Sequence, residues 1–244
     1  MENLKTKSVG EFVAADYRTA AVFQKYGIDF CCKGGKTIEE VSESKKIQAD
    51  VLLADLDVIA KQTDNGQSDF KSWPLDLLAD YIEKKHHRYV EQTTPVIKQY
   101  LDKLCNVHGD RHPELFEINE EFNISAGELA AHMKKEELII FPFIRKMVAA
   151  KNNHIDAGKP GFGTIQNPIQ MMMDEHTVEG ERFRKIASIS DNYNPPADGC
   201  TTYRVAFASL KEFENDLHLH IHLENNILFP KAIELEKEFA SGGQ

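Results

Sequence analysis

Apolar side chains recur every three or four residues along most of this chain, which is the spacing of a buried face on an α-helix. Near the start, this pattern runs through the segments DYRTAAVFQKYG, TIEEVSESKK and DVLLADLDVIAKQ. Gly27 is a predicted stop for the first helix, and Thr37 and Asp50 are predicted N-caps for the other two. We therefore expect a small helical domain over residues 1–61.

The rest of the chain predicts four longer helices with connections rich in Gly and Pro. We expect these helices over residues 74–104, 113–150, 168–188 and 200–240. Residues 62–73, QTDNGQSDFKSW, are mostly polar and are predicted to link the two domains. The predicted fold class is therefore all-α, with an antiparallel four-helix bundle over residues 74–244 preceded by the small helical N-terminal domain.

Composition and charge limit the partners and the cellular compartment that we expect for this chain. The formal net charge of −10 argues against nucleic acid as the main partner, because backbone phosphates would be repelled. No stretch approaches the roughly 18 to 20 uninterrupted apolar residues that a membrane-spanning helix needs, and no apolar signal run opens the chain. Four cysteines without paired spacings suit a reducing compartment. We expect a cytoplasmic protein with no membrane partner.

A short pattern occurs twice, each time as a histidine, a glutamate four residues later, and then Phe-Pro. The copies are HMKKEELIIFP, which begins at His132, and HIHLENNILFP, which begins at His220. A separation of four residues places His132 and Glu136, or His220 and Glu224, on one face of a helix. An unpaired charge on such an apolar face costs several kcal/mol, and a bound metal ion would remove that cost.

Two further histidines complete a regular series along the predicted bundle. Its members are His87, His132, His176 and His220, at intervals of 44 or 45 residues. These intervals suit one helix and one turn each, so that four helices carry ligands inward. The remaining histidines are not predicted ligands. His218 and His222 are expected on a solvated face, and His86 is turned about 100° from His87 around the helix.

Four imidazoles and two carboxylates suit two metal ions better than one. If Glu136 and Glu224 both bridge, each metal receives two nitrogens and two oxygens and keeps positions for an oxo or hydroxo bridge and an outside ligand. Mixed ligation with open positions fits iron, and manganese is a weaker match to so many imidazoles. Zinc stays an alternative on affinity, although the absence of cysteine from the set argues against a closed structural zinc site.

The segment DFCCKGGK carries two adjacent thiols, Cys31 and Cys32, in a predicted flexible and basic loop. The nearby lysines favour thiolate character, so one interpretation is a pair for redox chemistry or iron transfer. The other is two small packing residues, because free cysteines are commonly buried. Cys105 and Cys200 lie near helix ends without a partner spacing, and we assign them no chemistry.

With these ligands and this loop, the chain resembles the RIC (repair of iron centres) or ScdA-type iron–sulfur cluster repair family, which has a hemerythrin-like bundle. The resemblance covers nearly the whole chain and rests on HMKKEE, DEH and LENNILFP in this order. It implies a cytoplasmic homodimer that restores iron–sulfur clusters after nitrosative or oxidative stress, with two irons bridged by Glu136 and Glu224. Oxygen-carrying hemerythrins use five histidines in an unsymmetrical site, so the nearly symmetric set here disfavours oxygen carriage.

Three functions remain open in light of this resemblance. The chain donates iron to damaged or apo iron–sulfur proteins without being an enzyme, or it reduces nitric oxide, or it senses oxygen or iron. No catalytic residue is assigned. Glu128, one turn before His132, and Glu175, beside His176, are candidates for an acidic path for iron or protons. The alternative is that Glu128 and Glu175 are solvated charges on helix faces.

Overall fold

Helices make up nearly all the regular structure of the computed structural model, which describes residues 2–61 and 69–241. Within these ranges, extended pairing is limited to one antiparallel bridge between Ser8 and Thr37. No helix in the described part of the chain is long and apolar enough to cross a lipid bilayer. The chain divides into two compact units, Met1–Leu78 with Ile221–Gln244, and Ala79–His220. The predicted all-α fold is confirmed.

The N-terminal part of the first unit consists of short helices. They are α1 (Glu2–Lys5), α2 (Val9–Ala15), α3 (Ala20–Lys25), α4 (Ile38–Lys45) and α5 (Ala49–Ala60), with 3-10 turns at Tyr17–Thr19 and Phe70–Ser72. Much of the predicted linker, residues 62–68, lies outside the described residues. Leu52 of α5 and Phe23 of α3 are fully buried, so even these short helices have an apolar core.

The predicted ends of these helices are mostly confirmed. Thr37 caps α4 by accepting a hydrogen bond from the Glu40 backbone N–H at 3.2 Å, and the Glu40 carboxylate accepts one from the Thr37 N–H at 2.7 Å. Gly27 follows α3 with a φ of +62°, a conformation that glycine adopts without strain. The prediction for Asp50 is wrong, because α5 starts at Ala49 and Asp50 lies in its first turn.

The predicted bundle helices are present as four continuous helical runs. Their α-helical parts are α6 (Leu75–Tyr81), α7 (Arg88–His108), α8 (Glu114–Lys135), α9 (Phe141–Asn152), α10 (Gln166–Ile189), α11 (Thr201–Leu223) and α12 (Phe229–Ser241). Three π-helical turns, Ile82–His87, Glu136–Ile140 and Glu224–Leu228, join α6 to α7, α8 to α9 and α11 to α12. Three of the four runs therefore contain a local widening that apolar periodicity alone does not predict.

Phe213 on α11 joins the helices of the second unit around one aromatic ring. Its centroid lies 6.1 Å from that of Tyr89 on α7, 5.4 Å from that of Phe122 on α8 and 5.6 Å from that of Phe183 on α10. The side chain is 1% exposed. These contacts bring the four helices of the predicted bundle to one core.

Glu214 lies beside this core, and burial raises the pKa of its carboxyl to about 7, although Tyr193, Arg184 and Lys211 act in the opposite direction. Its ordinary value is about 4.3. Because the folded-state pKa is the higher one, the stability that the neutral carboxyl contributes is present below the ordinary value and is lost as the pH rises through about 7.

We therefore expect the Glu214→Gln variant to exceed the wild type in unfolding free energy by about 1 to 3 kcal/mol near pH 8. The difference should shrink towards zero near pH 4, because the wild-type carboxyl is then neutral in both states. Urea unfolding at the two pH values measures the change. Glu212→Gln, at an exposed position on the same helix, serves as the control. An equal gain for Glu214→Gln at both pH values would contradict the assignment.

Candidate metal centre

All six side chains predicted to bind metal are buried, and none is more than 4% exposed. They are His87, His132, Glu136, His176, His220 and Glu224. Buried imidazoles and carboxylates are costly to desolvate, so a cluster of them in a helical core needs compensation. A cation would supply it.

The three π-helical turns each contain one of these side chains. His87 is the last residue of the first turn, whereas Glu136 and Glu224 are the first residues of the second and third. Turns of this kind are rare overall, but a large share of them lie at functional sites, because the extra residue reorients the side chains around it. The repeat of the sequence pattern thus corresponds to a repeat of backbone geometry.

Glu136 lies at the centre of the cluster within the second unit. One carboxylate oxygen lies 3.3 Å from Nε2 of His87, and the other lies 3.4 Å from Nε2 of His132. Ligand atoms of His87, Glu136 and His220 lie within 4.8 Å of one another, as do those of His132, Glu136 and His176. The two groups share the Glu136 carboxylate, whose two oxygens serve one group each.

The imidazoles of His132 and His176 point their Nε2 atoms at each other across 2.9 Å. Neutral imidazole nitrogens and carboxylate oxygens are good ligands for iron, manganese and zinc. The donor set around Glu136 therefore fits a divalent or trivalent metal ion in each group. Glu224 follows His220 by about one turn of the same helical run.

Two further carboxylates contact the second ring nitrogen, Nδ1, of two predicted histidine ligands. Nδ1 of His87 lies 3.1 Å from a Glu137 oxygen, and Nδ1 of His132 lies 2.8 Å from a Glu175 oxygen. A carboxylate on the second ring nitrogen is typical of metal-binding histidines, because it fixes the ring and makes the first nitrogen a better ligand. The hydrogen bond to His132 lowers the pKa of Glu175 to about 2. Sequence reasoning missed Glu137, although it directly follows Glu136.

Glu175→Gln keeps the shape of the side chain but removes the negative charge behind His132. We expect the iron affinity of the chain to fall by about 10- to 100-fold, the usual effect of losing such a partner. Competition with a coloured chelator measures it. Asp174→Asn changes an exposed neighbour on the same helix and should leave the affinity unchanged. Equal affinities for all three proteins would show that Glu175 does not orient His132.

His86 and His222 are not among the predicted ligands, and both are buried. His86 is fully buried, bonds Asp216 through Nδ1 at 3.0 Å, and stacks on His220 with a centroid distance of 5.5 Å. The expectation of a solvated face is wrong for His222, which is 1% exposed and packs against the Tyr17 ring. Burial lowers the pKa of His222 to about 3. Tyr17, which covers His222, lies in the 3-10 turn between α2 and α3 of the first unit. The repeated sequence pattern therefore could not predict this burial.

The cysteine loop is anchored within the first unit by the two asparagines of LENNILFP. Asn225 donates a side-chain hydrogen bond to the carbonyl of Cys31, and Asn226 donates one to the carbonyl of Phe30, each at 3.1 Å. The sequence did contain a sign that Asn225 has a separate role, because the other copy of the pattern has Glu137 at the matching position. The loop is therefore positioned by the segment that carries Glu224.

The thiols of this loop form a third group with metal-binding geometry. Ligand atoms of Asp29, Cys31 and Cys32 lie within 4.8 Å of one another, and the two sulfurs are 3.6 Å apart. The interaction with Cys32, followed by burial, raises the pKa of the Cys31 thiol well above its usual range. The expected thiolate character is therefore wrong for Cys31. Binding a metal would require both thiols to release their protons.

A cavity of about 420 Å³ in the second unit reaches His132 and His176. Glu128 and Glu175 both line it. Glu128 is 55% exposed and pairs with Arg182 at 2.8 Å. The two glutamates predicted to form an acidic path thus border one opening, and the path itself stays a prediction.

Comparisons with known proteins cover both halves of the chain. The family described as hemerythrin HHE cation binding domain matches residues 78–232, and the ScdA_N domain of unknown function matches residues 5–60. The iron–sulfur cluster repair protein YtfE of Musicola paradisiaca is 32% identical over 95% of this chain and 98% of its own length. The YtfE protein of an Enterobacter species is 34% identical over 94% of this chain and 97% of its own.

A third relative, the iron–sulfur cluster repair protein ScdA of Staphylococcus haemolyticus, is 29% identical over 91% of this chain and 96% of its own length. The two family matches cover the N-terminal helices and the bundle helices, and the cation-binding match includes all six predicted metal ligands. The chain belongs to the hemerythrin-like family that includes the iron–sulfur cluster repair proteins YtfE and ScdA.

Proposed function

We propose that this protein repairs iron–sulfur clusters damaged by nitrosative or oxidative stress, and that it does so by donating iron from its buried histidine–glutamate cluster. One observation supports this most strongly: two groups of buried ligands share Glu136 inside a cation-binding domain. The relatives named as cluster repair proteins match nearly the full chain, in support of the same role here.

We propose two iron ions per chain, held by His87, His132, His176, His220 and the two glutamates. Glu136 bridges through its two oxygens, which face imidazoles of different groups. Glu224 is proposed as the second bridge, because it follows His220 as Glu136 follows His132 in the repeated sequence pattern. Iron bound this way supplies a reservoir with open coordination positions, from which an acceptor protein draws its metal.

Release of iron is proposed to follow the cavity beside His132 and His176. Glu128 and Glu175 at its border offer carboxylate oxygens to a departing cation. Glu128→Gln should slow the release of iron to a chelator while leaving the iron content unchanged, since Glu128 is mostly exposed. Unchanged release kinetics for this variant would leave Glu128 as a solvated partner of Arg182.

Cys31 and Cys32, with Asp29, are proposed to receive iron or to act as a redox pair during transfer. The support is the convergence of their ligand atoms within 4.8 Å. A Cys31→Ser/Cys32→Ser variant should retain its bound iron but deliver it to an acceptor more slowly. Delivery at the wild-type rate would favour the alternative, two packing residues.

The repair proposal is tested with an iron–sulfur enzyme that has been inactivated by nitric oxide. The iron-loaded protein should restore the enzyme's activity, and iron should appear in the enzyme as it leaves the donor. Metal-free protein with the same amount of free ferrous iron is the control for spontaneous reconstitution. Recovery no greater than in this control would contradict repair by donation.

A nitric oxide reductase is the second candidate, and the cavity of about 420 Å³ favours it because small molecules can approach His132 and His176. Reduction of nitric oxide predicts nitrous oxide formation under reductant while the iron stays bound.

A sensor of oxygen or iron would instead change only its conformation or oligomeric state. The cytoplasmic location and the homodimer remain predictions, and sedimentation of the iron-loaded and metal-free protein tests the latter.

A further inference from the structure

A thiol and an imidazole meet at the other end of α11 from the predicted metal ligands. Cys200 immediately precedes Thr201, the first residue of α11, and it is exposed. Its sulfur lies 3.3 Å from Nε2 of His108, the last residue of α7. The two residues are 92 positions apart in the sequence, so the fold alone brings this thiol and this imidazole together.

The imidazole of His108 is held in place against the thiol. It is only 5% exposed, and the Tyr203 ring packs edge-on against it with a centroid distance of 5.6 Å. Its Nδ1 atom has no hydrogen-bond partner among the residues that the structure describes. Cys200 is therefore the one polar side chain in that described set with a hydrogen bond to this buried ring.

Other charged groups near the pair are already engaged. His112, on the next turn of chain, contacts Asp198 at 3.0 Å and Glu114 at 3.1 Å through its two ring nitrogens. Arg111 donates to Asp198 at 2.9 Å. His108 thus faces the sulfur directly, whereas His112 does not, and the chain provides its own matched comparison.

The cysteines differ sharply in their environments. Hydrogen bonds from backbone N–H groups at the start of α11, that of Tyr203 first, lower the pKa of the Cys200 thiol. Burial raises the pKa of Cys105, and the neighbouring thiol and burial raise that of Cys31. Since the thiolate is the nucleophile, exposure and thiolate character coincide at Cys200.

We propose that Cys200 and His108 form a nucleophilic thiol–imidazole pair that reacts with low-molecular-weight disulfides, so that Cys200 is a site of reversible mixed-disulfide formation. The thiol proton passes to Nε2 of His108, and the Cys200 sulfur attacks one sulfur of the disulfide. The new S–S bond forms as the old one breaks, and the expelled thiolate takes up the proton. The disulfide is the oxidant, so the step is balanced.

This chemistry goes beyond iron–sulfur cluster repair and is separate from the metal ligands. Cys200 lies 20 positions before His220, which corresponds to roughly 30 Å along the helix. Modification of Cys200 would therefore mark the protein under oxidising conditions without displacing a ligand. The chain would then carry both the proposed iron store and a thiol, Cys200, that reacts with low-molecular-weight disulfides.

The test is to incubate the full-length protein with glutathione disulfide and to follow each cysteine by mass spectrometry of its peptide. Cys200 should acquire glutathione at least about 10-fold faster in the wild type than in the His108→Asn variant, as expected for loss of a neighbouring base. His112→Asn should react like the wild type. Cys105 should remain unmodified on the same time scale.

Two results would overturn the proposal: equal Cys200 rates in the wild type and His108→Asn, or modification of Cys105 as fast as Cys200. If His108→Asn does not fold, the same rate comparison is made with His108→Gln, and a Cys200 rate equal to that of the wild type again refutes the pair. Unchanged iron content in Cys200→Ser shows that the outcome is independent of the proposed iron function.

Discussion

Glu136→Gln should leave the protein unable to hold two iron ions, with iron affinity reduced by at least about 100-fold. Glu136 is fully buried, and each carboxylate oxygen faces an imidazole of a different ligand group. The amide keeps one oxygen and loses the negative charge, so both groups lose an anionic ligand together. Iron content after gel filtration and chelator competition measure the effect.

A matched control lies on the same helical run. Glu120 on α8 is exposed, and Glu120→Gln should keep the wild-type iron content. Circular dichroism of both variants shows whether the helices are intact, because a carboxylate-to-amide change of equal size preserves packing. If Glu136→Gln retained two irons at wild-type affinity, a ligand role shared between the two groups would be excluded.

Phe213→Ala is expected to cost about 3 to 5 kcal/mol of unfolding free energy, the usual range for removing a large ring from a packed core. The ring contacts Tyr89, Phe122 and Phe183 on three different helices, so its removal leaves a cavity that no single helix can fill. Urea unfolding of the metal-free protein measures the loss without a contribution from ligand binding.

The comparison for this variant is Phe116→Ala on α8, whose side chain is 55% exposed. This variant should lose much less unfolding free energy than Phe213→Ala, because the substitution removes little buried apolar area. Similar losses at the two positions would mean that the aromatic contacts of Phe213 do not hold the helices of the second unit together.

Much of the fold and of the candidate site could be predicted because helical periodicity and ligand spacing are local properties. The pairs His132–Glu136 and His220–Glu224 are recognisable within five residues, and the recurrence of histidine every 44 or 45 residues indicates four helices. The structure buries all six predicted side chains and brings the donor atoms of the second unit together.

Other features depend on residues that are distant in sequence, and local patterns could not predict them. The π-helical turns at His87 and Glu136 arise where the backbone accommodates packed side chains rather than from a compositional signal. The burial of His222 depends on Tyr17, more than two hundred residues away. The contact of Cys200 with His108 likewise spans 92 residues, which explains why spacing assigned no chemistry to that thiol.

The most direct measurement is a Mössbauer spectrum of the protein loaded with isotopically enriched iron, together with its iron content. The proposed centre predicts two irons per chain in similar nitrogen–oxygen environments, magnetically coupled through their bridges. One iron per chain, two uncoupled irons, or a chain that binds zinc but no iron would contradict a centre shared through Glu136.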